Sequence, residues 1–228
     1  MNIAQKIEKA MNEGRNILME DESKQILSLA GITVNHCRPV FSPEEASVAA
    51  VEIGFPAALK VRSSVITHKS DVGGVYLDLN DALSVRQAFI EMKEKTGAID
   101  PRAGATVQKM VPRGIEVIIG VTKDRQFGPV VAFGMGGALV NLMDDLCFRM
   151  VPLTEKDALQ IMEKIKGSRL LAGYRGNPGA DRKSLADILL KVSMLAQNHP
   201  EILEIDLNPV IARPEGAVVV DARMVLSS

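Results

Sequence analysis

Apolar residues recur along this chain either at helical spacing or in short alternating runs, and glycine, proline and capping residues separate the runs. Ile26, Leu27, Leu29 and Ala30 form one side of a helix that Asp21 can cap and Gly31 can stop. Ser42-Pro43-Glu44-Glu45 is a capping sequence with proline at the first helical position, and Gly54 closes that helix before Phe55-Pro56. Asp81 to Thr96 predicts a further helix ending at Gly97. Thr154 starts one that runs to about Lys166, and Asp181 starts the longest, to about Asn198. Strands are predicted over Ala57 to Val61, Val75 to Leu79, Thr106 to Met110, Ile115 to Val121, Val130 to Phe133 and Phe148 to Leu153. Ile202 to Ile205, Val210 to Ala212 and Ala217 to Val220 complete the set. The pattern predicts a mixed α+β chain built on hairpins, without a regular βαβ alternation.

One connection is too long for a hairpin, which needs about 2–5 linking residues. Between Val61 and Val75 the chain reads Arg62-Ser63-Ser64-Val65-Ile66-Thr67-His68-Lys69-Ser70-Asp71-Val72-Gly73-Gly74. With Lys60, this segment supplies cations and hydroxyls, and Gly73 and Gly74 can let backbone amides approach a ligand. That is phosphate-binding chemistry, with an imidazole where a phosphoryl group can reach it. The bland reading is a solvated loop that carries a histidine by chance.

Composition narrows the classes. Of the 228 residues, 46% are hydrophobic and 24% charged, which supports a packed globular core. A net charge of −1 gives no electrostatic case for nucleic acid or an anionic membrane. Aromatic residues at 4% and the lack of Trp argue against base-stacking platforms. Cys37 and Cys147 suit a reducing compartment and are expected as small core residues. Without a signal-like apolar segment near Met1 or a run of membrane-spanning length, a cytoplasmic protein is expected.

Other groups carry candidate chemistry. Gln108-Lys109-Met110-Val111 followed by Glu116 can border an adenine slot and meet ribose hydroxyls, although a glutamate here is more often just the exposed side of a strand. Phe133-Gly134-Met135-Gly136-Gly137 is a glycine-rich turn without the context of a dinucleotide site. Glu204-Ile205-Asp206-Leu207-Asn208-Pro209 alternates, so Glu204, Asp206 and Asn208 face one way. Asp221 follows the valines of the next hairpin. Such oxygen donors suit Mg²⁺, with phosphate and water completing the shell. A polar edge strand is the alternative.

Taken together, Lys60, Thr67 to Gly74, Gln126 to Val131, Gly134 to Gly137, Leu171-Ala172-Gly173-Tyr174-Arg175-Gly176, Glu204 to Pro209 and Val220 to Arg223 resemble the NDP-forming acyl-CoA synthetases. The resemblance is to their ATP-grasp part, the β subunit of ADP-forming acetyl-CoA synthetase, and covers nearly the whole chain. It implies an ATP-grasp fold of two lobes with the nucleotide between them, the smaller lobe spanning about residues 25–110. It also implies a phosphohistidine relay in which acyl-CoA, ADP and phosphate give carboxylic acid, ATP and CoA. Here His68 would carry the phosphoryl group and Asp206 would orient a histidine. Lys60, Gln108, Met110, Glu116, Gly73 and Gly74 would border ATP or ADP, and Asn208 and Asp221 would hold Mg²⁺. The expected partner is a CoA-binding α subunit, in an α2β2 assembly, that forms an acyl phosphate.

Two positions depart from the family. Val140-Asn141 stands where many relatives have Val-Glu, and Lys109 falls in the nucleotide linker. A second reading is a module cut from a fused synthetase or a protein acetyltransferase, acting as a non-catalytic nucleotide sensor. Such a module would need no His68. No acyl pocket is legible, so the carboxylic acid is left open.

Overall fold

The computed structural model describes residues 1–66, 68–137, 145–176 and 178–227. Thr67, Val140 and Asn141 lie outside the described residues. In chain order the first elements are α1 (Ile3–Asn12), β1 (Ile17–Leu18), α2 (Glu20–Leu29), β2 (Cys37–Val40), α3 (Pro43–Ile53), β3 (Ala57–Arg62), β4 (Val75–Leu79), α4 (Ala82–Thr96) and β5 (Gly104–Lys109). They are followed by β6 (Ile115–Asp124), β7 (Gly128–Met135), β8 (Leu146–Met150), α5 (Glu155–Lys164), α6 (Ser168–Ala172), α7 (Arg182–Asn198), β9 (Ile202–Ala212), β10 (Ala217–Val219) and β11 (Ala222–Leu226). Two compact units form, one of residues 19–21 and 35–111, the other of residues 1–18, 22–34 and 112–228.

The smaller unit is an antiparallel sheet in the order β2-β5-β3-β4 with α3 and α4 packed together. Helix α3 is fixed at its ends: Ser42 Oγ accepts from the Glu45 amide at 3.1 Å, Pro43 opens it, and Gly54 leaves it at φ 87°. Its buried stripe is Ala46, Ala49 and Ala50, small enough to bring the helix axis close to its neighbours. Asp81 caps α4 through the Ser84 amide, and Val85, Phe89 and Met92 fill the core beneath it. Strand β3 is buried from Ala57 through Val61 because it is central in its sheet. It therefore reads as a continuous apolar run, interrupted only by Lys60.

The larger unit is also antiparallel, in the order β1-β11-β9-β6-β7-β8, with β10 paired to β9. Val117, Ile119, Phe133, Ile205 and Leu207 from the sheet meet Ile161, Leu185, Leu189 and Val192 from α5 and α7 in one core. Ile7 of α1 and Ile26 and Leu27 of α2 join it. Asp181 caps α7 by accepting from the Lys183 and Ser184 amides.

Several expectations change. The two segments read as ending at Ile205 and resuming at Val210 are one strand, β9, that runs through Pro209. Asn208 and Pro209 are accommodated by an irregularity in the pairing with β6 between Val117 and Ile119, where a missing proline N–H is tolerated. The short strands β1, β2 and β11 escaped the pattern; Arg38 and Pro39 break the alternation in β2, which is an edge strand. Cys37 and Cys147 are half-buried instead of in the core, because each lies on a sheet edge, and neither forms a disulfide. Among the described residues, no helix is long and apolar enough to cross a membrane.

Candidate functional site

In the smaller unit, β3 delivers Lys60 to a buried polar cluster. Its ammonium is 3.2 Å from Glu20 Oε1, and Lys69 pairs with the other oxygen of the same carboxylate. Gln108, fully buried on β5, donates through Nε2 to Glu20 Oε1 at 2.6 Å and to Thr106 Oγ1 at 3.0 Å. Its Oε1 accepts from Asn35 Nδ2 at 3.3 Å. Beside this cluster Arg62 grips Asp21 with two hydrogen bonds of 2.7 and 3.2 Å. Asp21 therefore serves as a partner for arginine, in place of the expected helix cap, because α2 already begins at Glu20. Lys109 turns its ammonium to the Phe55 carbonyl at 2.7 Å, and the Met110 amide donates to the Pro56 carbonyl at 3.1 Å.

The loop after β3 is organised by local bonds. Ser63 Oγ accepts from the Val65 and Ile66 amides and donates to Asp100 Oδ2, which pins Ile66 into the core. His68 is exposed, with Lys69 next to it. The Gly73 amide donates to the Ser70 carbonyl and the Gly74 amide to the Lys69 carbonyl. Both amides are thus spent on the turn, so these glycines shape the loop more than they offer donors to a ligand. Gly73 takes φ 66°, and a Cβ on Gly74 would fall 2.6 Å from Val61 Cγ1.

In the larger unit, β9 puts Ile205 and Leu207 into the core and leaves Glu204, Asp206 and Asn208 on the open face, as the alternation predicts. Asp206 lies opposite Gly120 on one neighbouring strand and Arg223 on the other. Burial raises the Asp206 carboxyl above the ordinary carboxylate range; Asp221 adds to this, Arg223 opposes it, and Glu204 adds a smaller push. Ala222 pairs with Leu207, and the Val220 amide donates to the Pro209 carbonyl, so Asp221 is beside Asn208 in register. The described residues hold no cluster of three or more His, Cys, Asp or Glu side chains able to bind a metal. One amide and one carboxylate oxygen suit an ion whose other ligands are phosphate and water.

Glu116 stands apart from these acids, at the start of β6, and lines a cavity of about 590 Å³ with Met135, Gly136, Gly137, Leu170 and Tyr174. That volume falls in the range of small-molecule pockets. The Gly136 amide donates to the Glu116 carbonyl at 2.7 Å, which seats the glycine turn on the strand. The turn and the Leu171–Gly176 motif therefore converge on Glu116, a meeting that their separation in sequence conceals. Tyr174, part of the family motif but without a role in sequence, gains one beside Glu116, and Glu20 escaped the sequence reading; each gains significance only from neighbours far along the chain. Arg175 takes φ 50° and lays its guanidinium 5.3 Å from the Tyr174 ring centre.

A family model described as an ATP-grasp domain matches residues 9–226. The β subunit of acetate–CoA ligase (ADP-forming) I from Pyrococcus furiosus is 43% identical over 223 residues, covering 96% of each chain. The chain belongs to the ATP-grasp family of ADP-forming acyl-CoA synthetases. Its fold is accordingly the ATP-grasp fold. The single-chain acetate–CoA ligase (ADP-forming) I of Archaeoglobus fulgidus is 42% identical over 96% of this chain, which spans 32% of that longer protein. A solved structure of acetyl-CoA synthetase 1 from Ca. Korarchaeum cryptofilum superimposes with a TM-score of 0.87 at 41% identity, over 99% of this chain and 100% of that one. That protein is in complex with coenzyme A and Mg-AMPPCP, its phosphohistidine segment pointing towards the nucleotide-binding site.

Proposed function

We propose that this chain is the nucleotide-binding subunit of an ADP-forming acyl-CoA synthetase, converting acyl-CoA, ADP and phosphate to carboxylic acid, ATP and CoA through a phosphoryl group carried on His68. The observation that carries this reading is an exposed imidazole beside Lys69, in the loop that leaves the strand holding Lys60. The relatives named above support it. A neutral ring nitrogen of His68 accepts the phosphoryl group, forming a P–N bond as the donor's bond to phosphorus breaks. A terminal phosphate oxygen of ADP then attacks the same phosphorus, and the P–N electron pair returns to the imidazole. Lys60 and Lys69 oppose charge on the transferring group, and Glu116 meets the ribose hydroxyls. Gln108 and Met110 border the base. Asp206, raised by its surroundings, orients the histidine. Asn208 and Asp221 would hold Mg²⁺, which neutralises phosphate charge when bound.

The partner is a CoA-binding α subunit that forms the acyl phosphate, in an α2β2 assembly located in the cytoplasm. The match to one third of a single-chain ligase supports a second arrangement, in which the same module works inside a fused synthetase. A non-catalytic nucleotide sensor is the weaker reading, because it leaves His68 and its loop without a purpose. Incubation of the assembled enzyme with Mg·ATP, followed by mapping of acid-labile phosphate, tests the relay; a label absent from His68 overturns it.

A further inference from the structure

Glu20 ties together side chains that arrive from three places in the smaller unit. Lys60 comes from the centre of the sheet, Lys69 from the loop that carries His68, and Gln108 from β5, at separations of 40, 49 and 88 residues from the carboxylate they share. Glu20 is only 6% exposed, and both of its oxygens accept bonds. Each lysine ammonium ends a flexible four-carbon stem whose freedom must be lost before it can hold a ligand in one geometry. Two ammonium groups side by side also repel, and an anion between them offsets that repulsion. A single carboxylate with one cation on each oxygen does both. It gathers two positive charges on one carboxylate, one at each oxygen, and two linked phosphates answer that pair of charges better than one does.

We propose that Glu20 is a positioning residue that sets Lys60 and Lys69 as a pair for the diphosphate of the nucleotide, a role that rests on the function proposed above. Gln108, fully buried, donates to the oxygen that Lys60 also holds and so steadies the carboxylate's orientation. Gln108, which borders the base, keeps Thr106 and Asn35 as partners when Glu20 is changed, so the adenosine end depends on Glu20 far less than the diphosphate does. A merely structural ion cluster would weaken every nucleotide alike when broken, whereas a diphosphate clamp is felt only by ligands with two or more phosphates.

The test is calorimetric titration of the full chain with Mg·ADP and with AMP, alongside thermal melting. Glu20→Gln should weaken ADP about tenfold while AMP changes less than about twofold. Lys69→Met should do the same, and adding Glu20→Gln to the Lys60→Met/Lys69→Met double variant should change ADP binding by less than about twofold, since Glu20 acts only through the two lysines. Glu20→Asp, which keeps the charge, should recover part of the loss and serves as the variant of record if the glutamine form does not fold. An unchanged ADP-to-AMP ratio in the Glu20 variants, with that of Lys69→Met reduced, overturns the positioning role and leaves the nucleotide reading standing. An unchanged ratio in Lys69→Met as well overturns the clamp itself, whereas a parent chain that binds neither Mg·ADP nor AMP overturns the nucleotide reading.

Discussion

A Cβ added to Gly137 would fall 2.7 Å from Oε2 of Glu116, so the glycine turn and the glutamate share a space that admits no methyl group. Gly137 also takes φ 63°, where an L-residue is strained. Gly137→Ala should therefore lower stability by about 1 kcal/mol and push the carboxylate away from the cavity it lines. Calorimetric titration should show ADP bound several-fold more weakly. Gly128→Ala provides the comparison: its φ is 74° with nothing within 4 Å of the added carbon, so it should cost similar stability with no change in affinity.

His68→Ala should abolish acyl-CoA synthesis with the partner subunit while leaving nucleotide affinity nearly intact, because the ring serves transfer more than binding. The wild-type protein should carry an acid-labile, alkali-stable phosphate at His68 after exposure to Mg·ATP, and peptide mapping should find none at His36 or His199. Wild-type turnover in the variant, or a label elsewhere, would end the relay reading.

Asn208→Ala and Asp221→Ala should each raise the Mg²⁺ concentration needed for half-maximal turnover, by about tenfold, the effect of losing an interaction of roughly 1.4 kcal/mol. Asn208 is exposed and Asp221 half-buried, so neither truncation opens a core cavity, and melting temperatures should stay close to that of the parent. The same Mg²⁺ dependence in all three proteins would remove the metal assignment.

Asp206 makes a pH prediction with a defined sign. Its folded-state carboxyl is raised, so over the window from the ordinary Asp range upward the folded state binds more protons than the unfolded state. Stability from this group therefore falls as pH rises through that window, and the full cost is present at neutral pH. Asp206→Asn should stabilise the protein at neutral pH by at most about 1 kcal/mol, given the solvent that reaches this face. The gain should vanish below about pH 4, where the parent carboxyl is protonated in both states. Denaturant melts at several pH values would read the difference, and a gain that grows on acidification would contradict it.

The parts of the fold that were legible in sequence are those that local chemistry decides. Ser42, Asp81, Thr154 and Asp181 each cap the helix they precede, and Glu204 to Pro209 alternates as its residues suggest. What stayed hidden depends on pairing across the chain. Glu20 looks like one more acid in a polar stretch until Lys60, Lys69 and Gln108 close on it. Gly73 and Gly74 look like donors to a ligand until their amides are found closing their own turn. Pro209 looks like the end of a strand until the bulge against β6 absorbs it.

Strand β9 is at once the floor of the acidic face and a wall of the core: Glu204, Asp206 and Asn208 face solvent between Ile205 and Leu207, and beyond the bulge Val210 returns to the core. Deleting or inserting a single residue ahead of Asp206 would exchange the two sets, driving carboxylates inward and aliphatic side chains out. Chemistry and folding on this strand consequently fail together under a change of length. A descendant could shed the activity and keep its shape only by replacing residues one for one, which makes the spacing of Asp206 and Asn208 a more durable record of ancestry than the residues themselves.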